Sequence, residues 1–127
     1  MVLVNRNHNL NKLKIGDTMK QQQTYMTRGI TSLIATGGEM GSVIARCLQA
    51  HNDGIWDYFD EEIGVSSTLC DEDIKANEDA MKFKDRLLSS WKWTNDNYKE
   101  DKLIEVKFWI ITDIGHEVTT VLLPDEY

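Results

Sequence analysis

The sequence feature that most constrains the fold is an alternating run centred near position 107. From position 104 to position 110 every second residue is apolar, namely Ile104, Val106, Phe108 and Ile110. Alternate residues of a β-strand point to the same side of a sheet. The run therefore predicts a strand over 103–113, with one apolar face for the core and one mixed face that carries Trp109.

Three further strands are predicted around this one. Two of them, over 86–93 and 117–123, are joined to it by short segments rich in Asn, Asp and Gly, which are typical of turns. Such short connections require antiparallel neighbours. A fourth strand is predicted over 30–36, where a β-branched run ends at a pair of glycines.

Two helices are predicted from apolar spacing and charge. Apolar residues recur at helical spacing over 40–51, and Asp71-Glu72-Asp73 opens a second helix, because acidic residues in a first turn favour the helix dipole. Residues 60–70 are expected to form a connecting loop. The expected fold class is α+β: a two-layer sandwich of an about four-stranded, mainly antiparallel sheet with two helices on one face.

The length of 127 residues fits one domain, and the charge divides it unevenly. Residues 1–28 are basic and poor in apolar side chains, so we expect a flexible basic N-terminal arm over 1–28 and a single α+β domain over 29–127. No apolar run approaches the roughly 18 residues of a membrane span. Two cysteines without metal-type spacing indicate a reducing compartment. We therefore expect a cytoplasmic protein with no membrane partner.

Acidic residues concentrate between positions 53 and 79, where Lys75 is the one base. A field of this sign repels phosphates, so the main domain is not expected to bind nucleic acid directly. It would attract a basic protein surface, although a solvated surface is the alternative. The partner-binding residues predicted from this segment are Trp56, Asp57, Asp60, Glu61 and Glu62.

The tryptophans form a second candidate surface. Trp91, Trp93 and Trp109 are expected to share one sheet face, since alternate residues point the same way. Tryptophan is enriched in binding hot spots, so these three are also predicted to bind a partner. The alternatives are a second small core or the interface of a homo-oligomer.

A glycine-rich turn is the candidate phosphate site. Residues 36–41 lie between a predicted strand and a predicted helix, the layout that places a phosphate on a helix N-terminus. Glu39 would oppose a phosphate there, and a structural turn is the alternative. The candidate phosphate-binding residues are Thr36, Gly37, Gly38, Gly41 and Arg86.

No catalytic residue, metal site or cofactor is predicted. Cys47 and His51 lie four residues apart on a helix and could touch, but Cys47 falls on the apolar stripe, where a free cysteine is usually a core residue. With Cys70 and His116 they lack the paired spacing of a zinc site. A small hydrolase that uses His51 or His116 remains a third functional hypothesis.

Residues 29–127 together resemble a known family. The chain is similar to small uncharacterised proteins of plasmids, prophages and phages of mainly Gram-positive bacteria, some of them labelled as restriction–modification subunits. The matching elements are Ala35-Thr36-Gly37-Gly38, His51, Gly54-Ile55-Trp56-Asp57, the helix around Asn77, Arg86-Leu87-Leu88-Ser89, Phe108-Trp109-Ile110-Ile111-Thr112 and the segment 118–127. The resemblance implies a setting in a mobile genetic element and supplies no mechanism.

These observations predict a non-enzymatic accessory protein of a mobile genetic element. It would bind and inhibit a host factor with a basic surface, in particular a CRISPR or restriction component. The alternative is a small-molecule binder that sequesters a nucleotide signal through the 36–41 turn and Arg86.

Overall fold

The computed structural model describes residues 2–5, 23–36, 38–97 and 102–127, which form one seven-stranded mixed sheet and three α-helices. The strands are β1 (Val2–Asn5), β2 (Gln23–Met26), β3 (Phe59–Asp60), β4 (Val65–Ser67), β5 (Leu87–Asn97), β6 (Lys102–Thr112) and β7 (Val118–Leu122). The helices are α1 (Arg28–Ala35), α2 (Met40–Asn52) and α3 (Asp71–Phe83), and a 3-10 turn spans Pro124–Glu126. The strand order is β1-β2-β7-β6-β5-β4-β3, with β2 and β7 parallel and the other neighbours antiparallel.

The core lies between this sheet and the helices α1 and α2, which cover its inner face. Phe108 and Ile110 of β6 are fully buried there, together with Val43, Ile44 and Cys47 of α2. Trp109, between them in sequence, lies on the outer face and is half-buried. The predicted strand is confirmed, and so is its apolar face at Phe108 and Ile110, whereas Ile104 of the same face is 39% exposed. None of the described helices has the length and apolar composition that crossing a membrane requires.

The predicted four-stranded, mainly antiparallel sheet is wrong, although the fold class is α+β. The described residues add β1 and β2 from the predicted arm, and β3 and β4 from the predicted loop over 60–70. The segments 2–5 and 23–26 are therefore strands of the domain's sheet. The predicted arm residues 6–22 lie outside the described residues.

The predicted strand over 30–36 is also wrong, because these residues form α1. Ile30, Leu33 and Ile34 recur at the three- and four-residue spacing that places side chains on one helix face, and all three pack on the core. The sheet position beside β7 is filled by β2, whose Thr24 pairs with Thr119. Tertiary context therefore outweighs the local β preference.

Helix α3 lies along an edge of the sheet, which corrects the prediction of two helices on one face. Strand β4 ends at Ser67, opposite Trp91, so β5 has no strand partner beside Leu88 on that side. There Asn77 of α3 donates through Nδ2 to the Leu88 carbonyl at 2.7 Å and accepts from the Leu88 N–H at 3.2 Å. The asparagine satisfies a strand edge that would otherwise be open.

The N-terminus of α1 is capped by a carboxylate from the other end of the sequence. The Thr27 hydroxyl donates to Glu126 at 2.5 Å, and the N–H groups of Leu123 and Gly29 donate to it at 2.9 and 3.0 Å. These hydrogen bonds, the one from Thr27 above all, hold the pKa of Glu126 below its ordinary value. A Cβ at Gly29 would lie 2.6 Å from Leu123 Cδ1, so a larger residue here would displace the side chain of Leu123 or Glu126.

Replacing Glu126 with Gln is expected to lower the melting temperature by a few degrees at neutral pH, the scale of a lost helix cap. The pKa of Glu126 is lower in the folded chain than in the unfolded chain. Its stabilisation is therefore present above the unfolded value of about 4.3 and is lost as the pH falls through the lower folded value.

The difference in melting temperature between the wild type and Glu126→Gln, measured by thermal unfolding, should thus become smaller in acid. Asp125→Asn, which changes an exposed neighbouring carboxylate, is the matched control and should leave the melting temperature nearly unchanged. A difference in melting temperature of equal size at neutral and strongly acidic pH would contradict the role of the Glu126 carboxylate as a helix cap.

Candidate functional site

A cavity of about 410 Å³ opens on the outer face of the sheet, beside α3. We call it the outer cavity. It is lined by Asp73, Ala76, Asn77, Arg86, Leu88, Trp109 and Tyr127. Strands β5 and β6 supply Leu88 and Trp109, whose side chains alternate away from the inner core. The volume lies within the range of small-molecule sites, toward its lower end.

Tyr127 contacts two other side chains of the outer cavity, Trp109 and Arg86. The Trp109 and Tyr127 rings meet edge to face, with centroids 5.7 Å apart and an interplanar angle of 64°. The Arg86 guanidinium carbon lies 5.0 Å from the centroid of the Tyr127 ring, a cation–π contact. The 3-10 turn packs on β6 and so brings Tyr127 over the sheet.

Arg86 is a positively charged group of the outer cavity. Among the described residues it has no carboxylate within ion-pair distance. Asn77 is engaged with the Leu88 backbone. Asp73 lies against the Cys70 thiol. The hydrogen bond to the Asp73 backbone lowers the pKa of that thiol, but the hydrogen bond to the Asp73 side chain and its negative charge help to raise the pKa above the ordinary value.

The three tryptophans of the predicted surface do not share a sheet face. Trp91 and Trp93 pair with Phe108 and Val106 on the inner face, opposite to Trp109. The indole N–H of Trp91 donates to Ser89 Oγ at 2.8 Å, and that of Trp93 donates to the Ile63 carbonyl at 2.7 Å. Both residues are buried in the core and present no surface to a partner.

Trp56, predicted from the acidic segment, is buried as well. Its indole N–H donates to the His51 carbonyl at 3.1 Å, and its ring packs with Ala80 and Leu87. Of the four tryptophans, all of which the structure describes, Trp109 alone is accessible for binding. Its position on the mixed face of the alternating run was the signal for this.

The acidic loop, which we define as residues 53–62, contains both structural and free carboxylates. Asp60 shapes the β3–β4 turn: it accepts from the N–H of Glu62 at 3.0 Å and from the Tyr58 hydroxyl at 3.2 Å, and lies 3.4 Å from Arg46 Nη1. The side chains of Asp57, Glu61 and Glu62 are exposed. No ion pair in the described part of the chain involves these three carboxylates.

The candidate phosphate turn joins two helices, α1 and α2, where a strand and a helix were expected. Gly37 lies outside the described residues. Thr36 is the C-cap of α1, and its hydroxyl donates to the Leu33 carbonyl at 2.6 Å. Gly38 has φ of +79°, and Glu39 is the N-cap of α2. Gly41 lies in the first turn of α2, against Ile34.

The structure does not bring Arg86 to this turn. Thr36 and Gly38 line a separate cavity of about 220 Å³ together with Trp93 of β5, whereas Arg86 precedes the other end of the same strand. Seven residues of extended chain span about 20 Å. The two parts of the predicted nucleotide site are therefore distinct surfaces.

His51 lies in a buried network of hydroxyl groups. Its Nδ1 is 2.6 Å from Ser89 Oγ and its Nε2 is 2.8 Å from Thr112 Oγ1, which is 2.8 Å from Thr119 Oγ1. Ser89 accepts from Trp91, so the donor roles form a consistent chain when Ser89 donates to Nδ1 and Nε2–H donates to Thr112. At 1% exposure His51 has no access to a substrate.

The remaining candidate catalytic groups are also structural. Nε2 of His116 donates to the Asp85 carbonyl at 2.7 Å. Burial raises the pKa of the Cys47 thiol to about 12, which keeps it protonated at neutral pH. Within the described ranges no three His, Cys, Asp or Glu side chains come together as a metal site.

Sequence reasoning did not identify the outer cavity. Asn77 was recognisable as part of the buried face of α3, and Arg86 and Trp109 were candidates for other sites. Nothing local indicated that Tyr127 stacks on both of them. Such a contact depends on the pairing of β6 with β7.

Comparison with known proteins adds no relative: no family model, no curated protein and no solved structure matches this chain. The resemblance to mobile-element proteins therefore stays a prediction. Function has to be argued from charge, exposure and geometry.

Replacing His51 with Ala is expected to lower the free energy of unfolding by about 2–5 kcal/mol, because it leaves a cavity and unpairs the hydroxyls of Ser89 and Thr112. His116→Ala, which removes one bond to a backbone carbonyl near the surface, should cost about 1 kcal/mol. Urea unfolding of both variants measures this difference. A His51→Ala protein as stable as the wild type would return His51 to the list of functional candidates.

Proposed function

We propose that the protein is a non-enzymatic binding protein that blocks a basic surface of a host factor. The observation that carries the proposal is the acidic loop, where free carboxylates stand beside exposed apolar side chains. Ile55 and Phe59 are 47% and 64% exposed, next to Asp57 and the Glu61–Glu62 pair. Apolar anchors within a charged rim are the usual composition of an interface.

The fold holds this loop in place, which favours specific binding over a merely solvated charge run. The Ile55 N–H donates to the Ala50 carbonyl at 2.8 Å, and the Ser67 hydroxyl donates to the Trp56 carbonyl at 2.5 Å. A loop that is already ordered loses less conformational entropy on binding.

A second acidic segment is connected to the acidic loop through an apolar cluster. Leu69, which precedes α3, and Ile74, in its first turn, pack on the cluster formed by Trp56, Ala80 and Leu87. The acidic first turn of α3, residues 71–73, is thereby joined to the acidic loop. Together they present a negative surface that complements a positive one and speeds its encounter.

The chemistry of the partner follows from the negative charge of these two segments. A positive surface on a bacterial protein commonly serves to hold nucleic acid, so an acidic protein placed on it would compete with that nucleic acid. The resemblance to mobile-element proteins favours a CRISPR or restriction component as the host factor, and the bacterial cytoplasm as the compartment.

The charge-reversed variant Asp57→Lys/Glu61→Lys/Glu62→Lys is expected to lose inhibition. It leaves Asp60 and its turn intact, so the fold should survive. Reversing charges that face a complementary surface should weaken binding by at least about 30-fold, and more strongly at low salt. The readout is phage plating on hosts with a restriction or CRISPR system, with and without the protein, with circular dichroism as a check on folding.

Glu39→Lys is the control for position, because it makes the same kind of charge reversal at one exposed acid of the 36–41 turn, away from the acidic loop. Under the proposal it inhibits like the wild type. If it alters inhibition while the triple variant does not, the turn would be the functional surface. Native mass spectrometry of protein purified gently from a bacterial host identifies a co-purified host protein, a homo-oligomer or a small bound mass.

A further inference from the structure

We propose that the outer cavity binds a nucleoside monophosphate, with the base against Trp109 and the phosphate on Arg86. This site lies apart from the acidic loop, although Asp73 of the second acidic segment lines it, and its assignment does not depend on the proposed function. If the test of one proposal fails, the other proposal is therefore unaffected.

Arg86 is the reason to expect an anion. Its guanidinium carbon lies over the Tyr127 ring, 5.0 Å from the centroid, and within the described part of the chain no carboxylate lies within ion-pair distance of it. A planar fork of N–H donors matches a phosphate oxygen pair bidentately. Arg46 differs, because it is paired with Asp60.

Trp109 is the reason to expect a flat ring. It is half-buried, it is held edge-on by Tyr127, and Ala76 and Leu88 complete an apolar wall beside it. A base stacks on an exposed indole face with little dependence on its identity. The aromatic surface and the cation thus lie in one cavity, and one ligand with both groups can contact them together.

Asp73 limits the ligand further. It lines the same cavity as Arg86, yet no ion pair joins the two residues, so their charged atoms are more than 4.0 Å apart. A ligand between them meets donors on one side and a carboxylate acceptor on the other, which suits a base with an exocyclic amino group. The neighbouring Asp71 and Glu72 would repel further negative charge, so a monophosphate is favoured over a triphosphate.

The test uses the intrinsic fluorescence of the full chain. Trp56, Trp91 and Trp93 are buried and give a constant background, so a ligand on Trp109 should quench a fraction of the emission. Titration with AMP is expected to quench saturably with a Kd below about 1 mM. Adenosine and inorganic phosphate, which each lack one of the two groups, should bind at least about tenfold more weakly.

Arg86→Gln and Arg46→Gln are a matched pair, since each removes one positive charge from an exposed side chain. Calorimetry should show at least about tenfold weaker AMP binding for Arg86→Gln, an intermediate loss for Arg86→Lys and no change for Arg46→Gln. The proposal is overturned if AMP, GMP, CMP and UMP all fail to quench at millimolar concentration. It is equally overturned if a folded Arg86→Gln protein binds AMP like the wild type, or if ATP binds more tightly than AMP.

Discussion

The hydrogen bonds of His51 fix where α2 sits on the sheet, and much of the molecule is arranged around that position. The imidazole contacts Ser89 on β5 and Thr112 on β6, and Thr112 continues the network to Thr119 on β7. Polar groups buried this deeply are tolerated only when they are paired. A shift of α2 along the sheet would unpair several of them at once, so the network selects one docking of the helix among the many that apolar packing alone would allow.

Both candidate surfaces depend on this docking. The acidic loop leaves α2 directly after the network, and Trp56 attaches its indole to the carbonyl of His51 itself. On the other side of the same strands, β5 and β6 hold Leu88 and Trp109 in the wall of the outer cavity. The inner face of the sheet therefore holds the elements in place, and the two candidate surfaces lie on the loop and on the outer face.

Local patterns in the sequence correctly predicted several elements whose partners are near in sequence. The alternation around Phe108 predicted β6, the turn residues on either side predicted its neighbours, and apolar spacing predicted α2. The segment 30–36 was misassigned because β-branched residues at helical spacing fit both structures, and the choice depends on β2 already occupying the place beside β7. The cavity was missed for a similar reason: Arg86, Trp109 and Tyr127 are brought together by tertiary contacts alone.

The capping of α1 by the carboxylate of Glu126 has a consequence for how the newly synthesised chain folds. Thr27 and Glu126 are 99 positions apart in the sequence, and β2 and its partner β7 are separated by a similar number of residues. Thr27 and β2 are synthesised well before Glu126 and β7, so α1 lacks its carboxylate cap and β2 lacks its partner β7 until residues 118–126 have been made. Until then the edge of β2 that will pair with β7 is open to chaperones or to unwanted strand pairing.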